Sequence, residues 1–152
     1  MAVEKIAGLQ LPERAKYLRV VADEIKRIAS HLLNLGMLAH LIHNKSLMTK
    51  LLETREDFQD LKEAIWGNRM DLSANTIGGV KFDLDAPLIA SIREALHKNK
   101  SKIEAFIALF ETDATLIARI GGVGVLSYED ALKLGVVGPV ARASGVNNDV
   151  RK

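Results

Sequence analysis

The sequence predicts a mainly α-helical fold, an antiparallel helical bundle with a small β hairpin. Long stretches of the chain repeat apolar residues every three or four positions, which is the spacing of one helix face. Prolines stand where two of these stretches begin, and a glycine turn is followed by alternating apolar and charged residues. We expect residues 1–152 to form a single helical domain, because one core suffices for a chain of 152 residues.

The first long helix is expected to open at Pro12 and to run to about Ile42, with Gly36 as a point of close packing. Proline suits the first turn of a helix, where its missing N–H would have no partner within the helix. The expected buried stripe alternates spacings of three and four and comprises Leu18, Val21, Ile25, Ile28, Leu32 and Leu35.

A second helix is predicted to end at Gly67-Asn68, because glycine commonly follows the last turn of a helix. Its expected stripe is Leu47, Leu51, Phe58, Leu61 and Ile65. Beyond it, Val80, Phe82 and Leu84 alternate with Lys81 and Asp83 after a Gly-Gly turn. This alternation predicts a short strand or hairpin.

Pro87 is expected to open a third helix that either extends to Glu111 or breaks near residues 98–100. A shorter apolar piece over residues 117–120 is stopped by Gly121-Gly122. Ser127 with Asp130 three residues later is typical of a helix start, and the helix that it opens should stop at Gly135. The tail from Gly138 to Lys152 shows no helical stripe.

Composition excludes several classes of function. The net charge is only +2, which is too small and too evenly spread to argue for nucleic acid as a partner. No cysteine is present, which excludes disulfides, thiolate nucleophiles and iron–sulfur ligation by this chain. No apolar run reaches the roughly 18 residues that a membrane-spanning helix needs. We also expect no metal site in this chain.

Several single residues are candidates for function, although no catalytic set can be assembled from them. Glu4 is either a buried proton-transfer carboxylate or an ordinary helix residue. His31 is either a proton relay or a half-buried histidine with a structural partner. The tail residues Arg142, Asp149 and Arg151 either contact a partner or form a solvated terminus.

Six stretches taken together resemble the large subunit shared by membrane-bound, energy-converting nickel–iron hydrogenases and the respiratory NADH:quinone oxidoreductase. Their order and spacing match along nearly the whole chain. The first long helix and the final stretch are the most specific parts. The matching stretches are Ala2–Gly8, Leu11–Val20, Glu24–Gly36, Gly67–Arg69, Ile77–Val80 and Gly138–Lys152.

The resemblance implies a central scaffold segment of a longer subunit, of the hydrogenase or formate-hydrogenlyase type, that is inactive alone. Its cofactors would be a nickel–iron centre or quinone in the parent complex and an iron–sulfur cluster in a small partner subunit. Membrane subunits would be further partners, with the complex peripheral on the cytoplasmic face of the cell membrane. Arg142, Asp149 and Arg151 would face the iron–sulfur partner.

The resemblance also implies that Glu4, His31 and Arg69 are proton-path or structural residues. The respiratory branch typically has Asp where Leu41 aligns, His where Asp71 aligns and Arg where Thr76 aligns. The Asp belongs to the proton path of the quinone site, and Leu cannot carry a proton. These departures favour the hydrogenase branch.

Two alternatives remain open at the level of sequence. One is a segment of the NADH:quinone oxidoreductase large subunit on its quinone-site side. The other is a non-catalytic helical interaction module that shares ancestry with these enzymes. In each case a segment without its partners should expose apolar surface, so self-association is expected.

Overall fold

The computed structural model of the protein describes residues 2–70 and 74–148. The chain forms two compact units, Met1–Glu111 and Thr112–Lys152. The elements of the first unit are α1 (Ala2–Ile6), α2 (Glu13–Leu41), α3 (Lys45–Trp66), β1 (Asn75–Thr76), β2 (Gly79–Val80) and α4 (Ala86–Thr112).

The ends of the helices follow from local chemistry. Pro12 is the N-cap of α2, and its fixed φ of −57° leads directly into the first turn. Asn44 caps α3 by accepting a hydrogen bond from the Leu47 amide at 3.1 Å. Gly67 ends α3 in the left-handed conformation, with φ of 72°, as the sequence predicted.

α2 and α3 pack against each other through a repeat of alternating three- and four-residue steps. The buried face of α3 contains all five predicted residues. On α2 the buried face differs from the predicted stripe: Val21, Ile28 and Leu35 were predicted to be buried and are only half-buried. The buried face of α2 instead uses small residues between large ones: Ala15, Leu18, Ala22, Ile25, Ala29, Leu32, Gly36 and Ala39.

Small residues on α2 allow the larger residues of α3 to approach closely. Phe58 and Leu51 are fully buried at this interface. A Cβ added at Gly36 would come within 3.3 Å of Leu52 Cδ2, so Gly36 is the close-packing point that the sequence predicted. Alternating three- and four-residue spacings on both helices are the pattern that lets two helices pack closely.

α4 is one continuous helix that completes an up-down-up bundle. Ile92 and Leu84 share a buried cluster with Leu18 and Ile25 of α2 and with Leu61 and Ile65 of α3. Further along, Lys98 bonds to Asp57 of α3 at 2.9 Å. Residue numbers on α4 therefore rise as those on α3 fall, so these two helices are antiparallel and α4 is parallel to α2.

The β element is shorter than predicted. β1 and β2 pair antiparallel in the register Asn75 with Val80 and Thr76 with Gly79. Phe82 and Leu84, which the alternation placed in the strand, lie after it. They leave the ladder because their side chains pack inward: Leu84 is buried, and the Phe82 ring lies 5.6 Å from that of Trp66.

The second unit contains three short helices, α5 (Ala114–Ile120), α6 (Tyr128–Lys133) and α7 (Gly138–Ala143). Asp113 caps α5, and Ser127 caps α6 while donating to Asp130 Oδ2 at 2.7 Å, as the sequence predicted. α7 was missed, because six residues around Pro139 are too few to form a stripe. In the described part of the chain, no helix is long and apolar enough to cross a membrane.

Asp57 links α3 to α4 and carries a perturbed acidity. Burial by itself would raise the pKa of this carboxyl group. Hydrogen bonds from Lys98 and Asn99, together with the charges of Lys98 and Lys102, outweigh that effect and hold the pKa of Asp57 below its usual 3.8. The ionised form of Asp57 is therefore the one that stabilises the fold.

We expect Asp57→Asn to lower the free energy of unfolding at neutral pH by up to about 1 kcal/mol, because the pair is partly exposed. A depressed pKa gives stability that is present above the ordinary value of 3.8 and lost as pH falls through the folded value. The deficit should thus shrink below about pH 4 in urea titrations. Glu53→Gln on the same helix is the control, and an equal deficit at all pH values would contradict the assignment.

Candidate functional site: a buried ion pair beneath the hairpin

The most deeply buried charged pair described in the structure joins Glu4 of α1 to Arg19 of α2. Their side chains are only 3% and 11% exposed. The chain leaves α1 through Gly8, where φ is 64°, before α2 begins. Arg19 points to the same side as the buried residues Ala15 and Ala22, three or four positions away along α2.

The two side chains meet in a bidentate arrangement. Arg19 Nη1 donates to Glu4 Oε2 at 3.0 Å, and Arg19 Nη2 donates to Glu4 Oε1 at 2.6 Å. Two parallel charge-assisted hydrogen bonds fix both orientation and distance. Burial of either charge alone would be costly, so each residue requires the other.

The same two side chains hold the hairpin turn. Arg19 donates to the Thr76 carbonyl at 2.8 Å and to the Gly79 carbonyl at 2.9 Å. Glu4 Oε1 accepts from the Gly78 amide at 2.9 Å. The pair therefore binds both carbonyls that flank the turn and an amide at its tip.

This support matters because the hairpin is weak on its own. Each strand has only two residues, and an isolated two-stranded ribbon is marginal in water. Gly78 has φ of 84°, while Ile77 before it has negative φ, which is the sign pattern of a type II turn. Type II turns splay two-residue hairpins, so the ion pair supplies the constraint that the turn lacks.

The ion pair can be approached through a cleft of about 490 Å³. Its lining is Ala2, Glu4, Lys5, Leu9, Leu11 and Arg19. The arrangement can position the backbone of the hairpin and present charge to the cleft.

Arg69, another predicted site residue, lies on a different surface. It pairs with Glu56, Asp60 and Glu63 on the outer face of α3. The hydrogen bond with Asp60 makes the largest contribution in raising the pKa of Arg69 above its usual value. These bonds tie the segment after α3 back to that helix.

The remaining predicted residues are not brought to the ion pair. His31 is exposed on α2, and both interpretations of it stay predictions. Arg142 is exposed in the last turn of α7, in the second unit. Asp149 and Arg151, like Asp71, lie outside the described residues.

Two of the three residues that depart from the respiratory pattern, Leu41 and Thr76, lie in the described part of the chain, and their surroundings differ. Leu41 is the last residue of α2 and is 70% exposed. Thr76 contributes its backbone carbonyl to Arg19, so its side chain is not what holds the turn. Among the described residues, no group of three or more His, Cys, Asp or Glu side chains is placed to hold a metal ion.

The fold is similar to that of a chain in a solved structure. The chain matches one chain of the membrane-bound sulfane sulfur reductase, an archaeal respiratory membrane complex, with a TM-score of 0.91 and 30% sequence identity. The match covers 99% of this chain and 40% of that chain.

Residues 42–152 match the family described as the respiratory-chain NADH dehydrogenase 49 kDa subunit, and the chain belongs to this family. It is 47% identical to the carbon monoxide-induced hydrogenase of Rhodospirillum rubrum, across all of this chain and 42% of that protein. It is 39% identical to the membrane-bound hydrogenase subunit alpha of Pyrococcus furiosus, across 99% of this chain and 35% of that protein.

Relatives from the respiratory branch are less similar than the carbon monoxide-induced hydrogenase and about as similar as the Pyrococcus furiosus subunit, at 38–39% identity. An NADH-quinone oxidoreductase subunit of Chloroherpeton thalassium is 38% identical across all of this chain and 34% of that protein. The chain thus spans well under half the length of the relatives it matches. These findings confirm the family resemblance predicted from the six stretches.

We expect Glu4→Ala to accelerate hydrogen exchange of the Gly78 amide by about tenfold, because the hydrogen bond from that amide to the carboxylate is lost. Exchange can be followed by two-dimensional NMR. Glu13→Ala, which removes an exposed carboxylate that pairs with Lys16, is the matched control. Unchanged exchange at Gly78 in Glu4→Ala would show that the ion pair does not hold the turn.

Proposed function

We propose that the chain is the central scaffold segment of a hydrogenase-type large subunit, within a complex that passes electrons through an adjacent iron–sulfur subunit. The observation that carries this proposal is the 47% identity to the carbon monoxide-induced hydrogenase along the whole chain. The respiratory relative named above reaches 38% over the same length. The higher value supports the hydrogenase branch.

The features of Leu41 agree with this choice. An exposed leucine at the end of α2 offers no titratable group at a position where the respiratory branch is expected to have an acid. A proton path through this point needs a group that gains and loses a proton. This supports the proposal that the chain belongs to the branch that does not depend on a quinone site there.

The donor set of this chain does not fit a nickel–iron centre, because the expected thiolate ligands need cysteine and the sequence has none. Any such centre would be held by another part of the parent subunit. This chain would contribute the α2–α3–α4 bundle and the braced hairpin as a rigid support. Its complex would be peripheral to the membrane on the cytoplasmic face.

We further propose that Arg142, Asp149 and Arg151 face the iron–sulfur subunit. The exposure of Arg142 in the last turn of α7 is compatible with such a contact. Arginine suits an interface of this kind because its planar guanidinium group binds carboxylates through two hydrogen bonds.

The second candidate function is the corresponding segment of an NADH:quinone oxidoreductase large subunit. It is favoured by the family match over residues 42–152, since that family is named after the 49 kDa subunit of the respiratory-chain NADH dehydrogenase. The two candidates differ in whether the end of α2 must carry a proton. Exchange of this chain into each type of parent enzyme therefore separates them.

We expect a chimaera in which this chain replaces the matching segment of the carbon monoxide-induced hydrogenase to retain hydrogen evolution. The equivalent chimaera in the NADH-quinone oxidoreductase of Chloroherpeton thalassium should lose quinone reduction by about 100-fold, because Leu41 cannot transfer a proton. Leu41→Asp in that chimaera should recover part of the activity. Both rates are measured on assembled complexes, with NADH oxidation by a soluble acceptor as the control for assembly.

The reverse result would favour the second candidate. An assembled hydrogenase chimaera without hydrogen evolution, together with an active quinone reductase chimaera carrying Leu41, would contradict the hydrogenase assignment. Leu33→Asp, which introduces the same charge at another partly exposed position of α2, is the matched control for Leu41→Asp.

A further inference from the structure

Asn99 of α4 is a polar residue that is completely buried within the chain. It lies at the contact with α3, where its amide donates to the carboxylate of Asp57. Its Nδ2 also donates to the Ala95 carbonyl at 3.0 Å, one turn earlier on α4. Its Oδ1 has no hydrogen-bond partner among the described residues. A buried oxygen without a partner is costly, so stability alone does not account for an asparagine at this position.

Asn99 stands where a packed helix ordinarily carries an apolar residue. Ile92, Asn99 and Phe106 are seven residues apart, so they form one line along α4, here called the first line. Ile92 is buried in the cluster shared with α2 and α3, and Phe106 is half-buried. Asparagine therefore replaces the middle apolar residue of the line along which α4 packs. In packed helices, a single asparagine at such a position fixes their register at a cost in stability.

A second line of residues, four positions further along α4, is entirely apolar. It consists of Leu96, Ile103 and Phe110, which repeat the seven-residue spacing of the first line. A shift of α4 by four residues brings each of them to the place of a residue in the first line. The motion is a translation of about 6 Å with a rotation of about 40°, since each residue rises by about 1.5 Å and turns by about 100°. Apolar packing alone would therefore favour the shifted register.

The charged residues at the same contact fit both registers. Asp57 of α3 bonds to Lys98 at 2.9 Å and lies 3.8 Å from Lys102. The two lysines are four positions apart, so a shift of four residues puts Lys102 where Lys98 now lies. The flexible stem of a lysine lets its ammonium group reach the same carboxylate from either place. The ion pairs therefore hold α4 to α3 without distinguishing the two registers.

The segment before α4 can accommodate such a shift. Arg14 holds this segment by bonds to the Asp83 carboxylate and to the Leu84 carbonyl. A shift of four residues transfers the first turn of α4, residues 86–89, from the helix to the connection, while this anchor stays in place. Pro87 lies in that turn and has no N–H, so unwinding the turn breaks no hydrogen bond from this residue.

We propose that Asn99 selects the register of α4 on α3 and excludes a second register, shifted by four residues toward the amino end of α4. In the observed register the amide of Asn99 donates to Asp57, whereas Ile103 in its place could not donate. The shift would also carry Asn99 to the place of Ala95, which packs against the apolar cluster. Both helices belong to this chain, so the inference depends neither on what covers its outer surfaces nor on the proposed function.

Spin labels on α3 and α4 test the proposal, because a shift along the helix axis changes the distance between them. The chain has no cysteine, so Thr49→Cys and Ser91→Cys supply the only two labelling sites. Both residues are exposed, and they lie on opposite sides of the contact at Asp57, since the helices are antiparallel. We expect one distance in the labelled full chain and, in Asn99→Ala, a second distance longer by about 6 Å. Loss of the bond to Asp57 should raise the share of the second register by roughly tenfold or more.

The two lysines make the test specific to a shift of four residues. In the Asn99→Ala chain, Lys102→Gln should remove the second distance, because Asp57 then has a lysine beside it only in the observed register. Lys98→Gln in the same chain should enlarge the second population. Lys98→Gln alone should leave a single distance, because Asn99 still selects the register. Ser101→Ala, an exposed change on α4, is the matched control for Asn99→Ala and should also leave a single distance.

Two outcomes would overturn the proposal. One is a single, unchanged distance in an Asn99→Ala chain that circular dichroism shows to be helical. The other is a second distance in Lys98→Gln alone, which would assign the choice of register to the ion pair. Asn99→Val keeps most of the buried volume but lacks the amide, so it should show the same second distance as Asn99→Ala without leaving a large cavity.

Discussion

The buried pair between Glu4 and Arg19 is the interaction on which the arrangement of the first unit depends. It connects α1, α2 and the hairpin, three elements far apart in the sequence, through bonds to both side chains. The hairpin has two ladder residues per strand and a turn type that does not favour it. Without the pair, two buried charges and several turn groups would lose their partners together.

The sequence predicted the helices well because their signals are local. Proline, glycine and capping side chains marked the ends, and large apolar residues marked α3. The stripe on α2 was displaced because large residues were counted and small ones were not. Ala22, Ala29 and Gly36 alternate with large residues on the buried face, since close approach of α3 at these positions leaves room only for small side chains.

Only one of the two residues of the ion pair could be identified from the sequence. Glu4 was a candidate for burial, but its partner was not identified, because contacts over 15 to 74 residues leave no local pattern. One signal was present: Arg19 lies three positions before Ala22 and four after Ala15 on the buried face of α2. A charged residue there requires a partner. The strand predicted for the hairpin was too long for a similar reason. Phe82 and Leu84 alternate with charged residues as strand residues do, but their side chains pack inward after the strand has ended.

Arg19 joins the braced hairpin to the three-helix bundle through its bonds to the Thr76 and Gly79 carbonyls. A double-mutant cycle with Glu4→Leu, Arg19→Met and the double variant tests the central role of the ion pair most directly. We expect each single change to lower the free energy of unfolding by about 3–5 kcal/mol, and the double change to cost at least about 1 kcal/mol less than their sum. Additive effects within about 0.5 kcal/mol would contradict the account.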